Sequence, residues 1–256
     1  MTIHTIGDSH SYSGWGSEIE KHHIGPKLCH TFGKQQLKLC DMRDHDMQND
    51  DTVIFCFGEI DCRCHVHKHV TTEKSYREII ENLVQEYIKA IEISVNTSGL
   101  TFKNVCIFNV VPPVQRHNTG ENPEYPYLGS DEDRKGYVLY FNSLLKSHCS
   151  IKQFVYFDVY DKYCDINGFL RKDLSDGNVH ITDFLKIIHV PILGNTSTKK
   201  SKIPNQSFVI VPQFLLPPRY RRYCGYGRHE KESWPFRHGL PLKAYSSYFF
   251  FENLVN

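Results

Sequence analysis

Five short strand-like runs, spaced by stretches of helical periodicity, constrain this chain more than any other feature. Ile3-His4-Thr5-Ile6, His22-His23-Ile24, Thr52 to Phe57, Asn104 to Val111 and Gln153 to Phe157 each stop at Gly, Pro or Asp residues. The run from Thr52 to Phe57 is apolar without alternation, as in a strand covered on both faces. Between the runs lie segments with helical spacing. Lys27 to Leu39 carries Leu28, Phe32 and Leu39, and Ser75 to Ser94 carries Ile79, Ile80, Leu83, Val84, Tyr87, Ile88 and Ile91. Asp131 to Ser147 carries Tyr137, Tyr140, Phe141, Leu144 and Leu145. Trp15 to Glu20 reads as a short helix and Thr182 to His189 as a closing one. Strands alternating with helices imply right-handed βαβ crossovers. The expected architecture is α/β, a three-layer α/β/α sandwich around a five-stranded, mostly parallel sheet, occupying residues 1–194.

Residues 195–256 break this rhythm. They hold ten Lys and Arg against three acids, so a net charge of +7 lies beyond Gly194 and −6 before it, although the whole chain carries only +1. Aromatics interleave with the basic residues, as in Pro217-Pro218-Arg219-Tyr220-Arg221-Arg222-Tyr223. The segment reads as an irregular C-terminal extension, disordered or loosely packed. The other reading is a surface that contacts single-stranded nucleic acid or another polyanion. Nothing in the sequence is long and apolar enough to cross a bilayer, and the N-terminus lacks the pattern of a signal peptide. The nine cysteines fit reduced thiols, so the expected location is the cytoplasm.

Three polar clusters fall where strands end or in the last loop before residue 194. They are Gly7-Asp8-Ser9-His10-Ser11, Gly58-Glu59-Ile60-Asp61-Cys62-Arg63 and Asp176-Gly177-Asn178-Val179-His180. Loops at the C-terminal edge of a parallel sheet are where ligands bind. Asp8 and Ser9 read either as a helix cap or as part of a catalytic turn. Serine hydrolysis needs a nucleophile, a base, an acid to orient the base, and donors for the oxyanion. Ser9, His180 and Asp176 fit the first three roles, and the amides of Ser9 and Gly25 fit the last.

The order of these blocks resembles the SGNH (GDSL-type) hydrolase superfamily over residues 1–194. The Gly-Asp-Ser block is its most specific element, and GEIDCR and DGNVH follow in the right order. The resemblance implies a flavodoxin-like fold and ester hydrolysis through a serine acyl-enzyme, with no metal or organic cofactor. Two departures stand out. Ile60 occupies the place of an oxyanion-donating Asn, with Arg63 as the first substitute, and Asp176 and His180 lie four residues apart rather than three. The GEIDCR variant is also similar to SGNH-like proteins of bacterial and large-virus polysaccharide pathways, which points to acylated sugars.

Asp8, His10, Gly58, Glu59, Asp61 and Arg63 are the expected substrate contacts, with His10 lining an acyl pocket. Arg116 and His117, in the polar loop after Pro112-Pro113, either contact a polar substrate or belong to a solvated loop. Cys62, Cys64, His65, His67 and His69 are metal-ligand types, but an extended segment cannot bring them all to one ion, and no metal is expected. The expected function is a serine esterase acting on a small-molecule or carbohydrate ester, O-acetyl groups included. An acyltransferase to a sugar hydroxyl shares the acyl-enzyme, and a catalytically weak SGNH-like binding module is the third reading.

Overall fold

The computed structural model describes residues 1–118, 120 and 122–182. The expected closing helix, apart from its first residue, and the C-terminal extension fall outside them. Five strands, β1 (Ile3–Gly7), β2 (Glu20–His23), β3 (Thr52–Cys56), β4 (Asn104–Phe108) and β5 (Val155–Phe157), form one sheet. The order is β2-β1-β3-β4-β5 and every pair is parallel. This is the flavodoxin-like order, whose switch point lies beside β1. The helices are α1 (Cys29–Gln35), α2 (Val66–His69), α3 (Tyr76–Ser98), α4 (Asp131–Lys152) and α5 (Tyr160–Tyr163). No helix among the described residues is long and apolar enough to cross a membrane.

The ends of the two long helices follow local chemistry. Ser75 and Glu78 form a reciprocal capping box before α3, and Gly99 ends the helix in the left-handed conformation at φ +71°. Ser130 and Asp133 repeat the box before α4. Ile80, Val84, Tyr87, Ile88 and Ile91 of α3 are buried, as their spacing requires.

Register shows how the two sheet faces are covered. Phe55 of β3 pairs with Ile107 of β4, so the two share a face, and Phe32 of α1 stacks 6.2 Å from Phe55. Tyr87 of α3 meets Phe32 and Phe57 edge-on. Phe108, one residue further along β4, points to the opposite face beside its register partner Phe157. Trp15, from the β1–β2 connection, packs 5.5 Å from Phe108 and 6.1 Å from Phe157. Residues Trp15 to Ile19 are therefore a turn-rich strap, and the expected helix is absent. Trp15 serves as an anchor, its Nε1 donating to the His10 carbonyl at 2.7 Å.

A second difference concerns Asp61 to His69, which is helical: a π-helical turn over Asp61–His65 runs into α2. His65 and His69 then share one helix face, and the His65 ring lies tilted 4.4 Å from that of His30. Burial and the neighbouring imidazoles push His65 down to about 4. Among the described residues no group of three or more His, Cys, Asp or Glu is disposed to hold a metal ion.

Candidate active site

The nucleophile candidate stands on a turn that only glycine permits. Gly7 has φ +155°, and a Cβ there would lie 2.0 Å from the Cys56 carbonyl oxygen. The Asp8 amide donates to that same oxygen at 3.1 Å, which turns the chain off the sheet edge. Asp8 then caps a single 3₁₀ turn over Ser9–Ser11. The Ile24 amide donates to Gly7 O at 2.9 Å, so the Ile24-Gly25 segment runs alongside this turn.

The partner loop closes on itself. Ser175 and Ile181 form an antiparallel bridge, and the Asp176 amide donates to the His180 carbonyl at 3.0 Å. Gly177, at φ +83°, supplies the left-handed corner. The extra residue between Asp176 and His180 is taken up in this turn, and the two side chains still meet. Asp176 Oδ2 lies 2.7 Å from His180 Nδ1, and His180 Nε2 lies 2.8 Å from Ser9 Oγ.

Electrostatics suit a directed proton path. Burial works against the Asp176 charge, but the His180 imidazole and the amides of Asn178 and His180 outweigh it and hold the carboxyl below its usual range. Nδ1–H donates to the Asp176 carboxylate, which keeps the proton on Nδ1 and leaves the Nε2 lone pair facing the Ser9 hydroxyl.

A parallel sheet in the order β2-β1-β3-β4-β5, a serine just past its first strand, and an Asp–His pair beyond its last strand now stand together. This order and placement agree with what the resemblance to the SGNH hydrolases implies. No family model matches the chain, and no curated protein matches it. Similar solved structures include a GDSL-like lipase from Bacteroides thetaiotaomicron, 11% identical over 73% of this chain and 82% of that one, with a TM-score of 0.49. An acetylxylan esterase from Geobacillus stearothermophilus, in catalytic-mutant form, is 10% identical over 71% and 87%, with a TM-score of 0.44. An aryl esterase from M. smegmatis is 14% identical over 71% and 91%, with a TM-score of 0.43.

Several expected substrate contacts have other work in this fold. Asp61 is fully buried and accepts the amides of Cys29 and His30 at 2.6 and 3.1 Å, so it caps α1 and is closed to a ligand. Asp8 is fully buried as well. His10 is 5% exposed, its ring held between Asp8 and the Val179 carbonyl. Gly58 serves packing: at φ +115°, a Cβ there would meet Val110 Cγ2 at 2.8 Å.

Glu59 and Arg63 form a two-pronged ion pair at 2.9 and 3.1 Å. Arg63 Nη1 donates to the Tyr125 carbonyl at 2.6 Å, and the guanidinium lies 5.2 Å from the Tyr127 ring centroid. Arg63 is thus engaged in holding the 123–128 loop. Ile60 is buried, so position 60 supplies no donor of its own.

Tyr127 is a residue the sequence did not single out. Its hydroxyl donates to Asn178 Oδ1 at 3.2 Å, joining the 123–128 loop to the loop of Asp176 and His180. Tyr127 also borders a cavity of about 600 Å³ with Arg116, His117 and Asp131. These contacts come from distant parts of the chain, and no local pattern announces them.

Proposed function

We propose that this protein is a serine ester hydrolase of the SGNH type, cleaving a small acyl ester through a Ser9 acyl-enzyme. The observation that carries the reading is the unbroken hydrogen-bonded chain from Asp176 through His180 to Ser9. Ser9 Oγ attacks the ester carbonyl carbon while its proton passes to His180 Nε2. The ester C–O bond then breaks, and the alcohol leaves with the proton from His180. Water next attacks the acyl-enzyme, giving a proton to His180, and the acid departs as Ser9 takes that proton back. The amides of Ser9 and Gly25 are assigned to the developing oxyanion, since Gly25 follows the residue hydrogen-bonded to Gly7.

The alcohol portion is assigned to the cavity beside Tyr127, Arg116 and His117, where these three side chains could hydrogen-bond a hydroxylated group such as an O-acylated sugar. A sugar hydroxyl in place of water would make the same acyl-enzyme an acyltransferase. The absence of a donor at Ile60 favours the alternative of a weakly catalytic binding module.

Fluorophosphonate labelling of the wild type beside Ser9→Ala and His180→Ala tests the reading. Labelling is expected in the wild type and in neither variant, with hydrolysis of acetylated sugars or short-chain aryl esters at least about 10³-fold slower in both. A folded wild type that takes no label would end the esterase reading in favour of the binding module.

A further inference from the structure

His10 follows the candidate nucleophile directly and faces an acceptor with each ring nitrogen. Nδ1 lies 3.1 Å from Asp8 Oδ1, and Nε2 lies 3.2 Å from the carbonyl oxygen of Val179. The carbonyl can only accept, so Nε2 must donate to it. An ionised Asp8 likewise only accepts, so Nδ1 must donate too. A neutral ring would set a lone pair against one of these oxygens, with the side chain only 5% exposed. The remaining oxygen, Asp8 Oδ2, is buried without a hydrogen-bond partner among the described residues, so His10 is the group that balances the carboxylate.

Val179 immediately precedes His180, and the His10 and His180 rings are 5.1 Å apart. We propose that His10 is a positioning residue for His180: donating from both ring nitrogens, it fastens the turn that carries Ser9 to the backbone that carries the base. The inference rests on the esterase reading only for its consequence in catalysis; the tie itself is a property of the fold. Without it, the hydrogen bond among the described residues that joins the Asp176–His180 loop to Ser9 is the 2.8 Å contact of His180 Nε2, the one that must break and reform during turnover.

The groups facing His10 agree with a cation. Burial disfavours the charge, but the hydrogen bond and charge of Asp8, the charge of Glu59 and the Val179 carbonyl together raise its pKa above the ordinary histidine value. His180 is the other titratable ring in contact with it. The stabilisation from a raised histidine is complete below the unfolded value of about 6.5 and is lost as pH climbs through the higher folded value. The tie therefore loosens on the alkaline side.

Two measurements test this. The first is ¹⁵N NMR of the histidine rings in the wild type and in Ser9→Ala, which keeps His10 and its two acceptors. Both ring nitrogens of His10 are expected to be protonated at pH 6, with a midpoint above the ordinary histidine value of about 6.5; a neutral single tautomer at pH 6, or a midpoint at or below the ordinary value, overturns the proposal. The second is the pH profile of kcat and KM for an aryl ester with His10→Gln, which keeps a donor for Val179 but cannot titrate. A kcat lower by roughly 10- to 100-fold, KM within about twofold, and loss of the wild-type alkaline limb are expected. An unchanged alkaline limb overturns the proposal. If Ser9→Ala hydrolyses the ester as well as the wild type, the esterase reading fails, and the NMR result alone then decides whether the tie exists.

Discussion

Asp61 Oδ2 accepts the Cys29 amide at 2.6 Å, and its Oδ1 accepts the next amide, His30, at 3.1 Å. The residue at the start of α1, Leu28, has no side chain able to do this, so a carboxylate from beyond β3 caps the helix. Removing it leaves buried amides without acceptors. Asp61→Ala is expected to lower unfolding free energy by about 1–3 kcal/mol, read from urea midpoints. Burial pushes the Asp61 carboxyl up to about 7 despite the two amides. An acid whose folded pKa is raised binds more protons folded than unfolded, so its contribution weakens as pH rises from about 4 to about 7. Asp61→Asn should flatten the stability–pH curve across that window; an identical slope in both proteins would contradict the assignment.

Arg63 makes a different prediction, because its role is geometric as well as electrostatic. Arg63→Ala strands the nearly buried Glu59 carboxylate and is expected to cost about 3–5 kcal/mol. Arg63→Lys keeps the charge but loses the planar fork that reaches both Glu59 oxygens and the Tyr125 carbonyl. It should cost less, about 1–2 kcal/mol. Denaturant unfolding checks both values, and a lysine variant as stable as the wild type would remove the fork from the argument.

Asp176→Asn should act on turnover rather than on stability. The side chain is partly exposed and its loop is also closed by backbone bonds, so the unfolding midpoint should shift by less than about 1 kcal/mol. An amide no longer holds the proton at His180 Nδ1, and kcat is expected to drop by about 10²- to 10⁴-fold, within the range known for serine triads. In the wild type, the depressed carboxyl is ionised above its ordinary value of about 3.9 and is neutralised only as pH falls through a lower folded value. Steady-state kinetics with an aryl ester at neutral pH is the check; wild-type turnover in the variant would remove Asp176 from the mechanism.

Much of the fold could be read from local pattern. Strand residues such as Val53, Ile54 and Phe55 declare themselves by being apolar on both faces. The α3 face from Ile79 to Ile91 does so by its 3.6-residue spacing, since periodicity in sequence is periodicity in burial. The helix ends were read less well: α3 runs on to Ser98 because Gly99 is the first residue to take the left-handed turn, and α4 runs to Lys152. The Cys62–His69 segment was misjudged as extended because its polar and apolar residues alternate, although the chain winds there into a π-helical turn and α2.

Chain order alone singled out Ser9, Asp176 and His180, because their glycine-bearing turns leave a local signature. What each polar residue near them does was settled by folding. Asp61 is an acid four residues into a turn, and only the arrival of the Cys29 and His30 amides makes it a cap. His10 sits 169 residues from the carbonyl that claims its Nε2, and Tyr127 sits 51 from the Asn178 side chain that accepts its hydroxyl. A hydrogen bond depends on positions in space to within a few tenths of an ångström, whereas periodicity reports only which face of an element is buried. For that reason the strands, the long helices and the turns that carry Ser9, Asp176 and His180 could be read along the chain, and the hydrogen-bond partners of the charged residues around them could not.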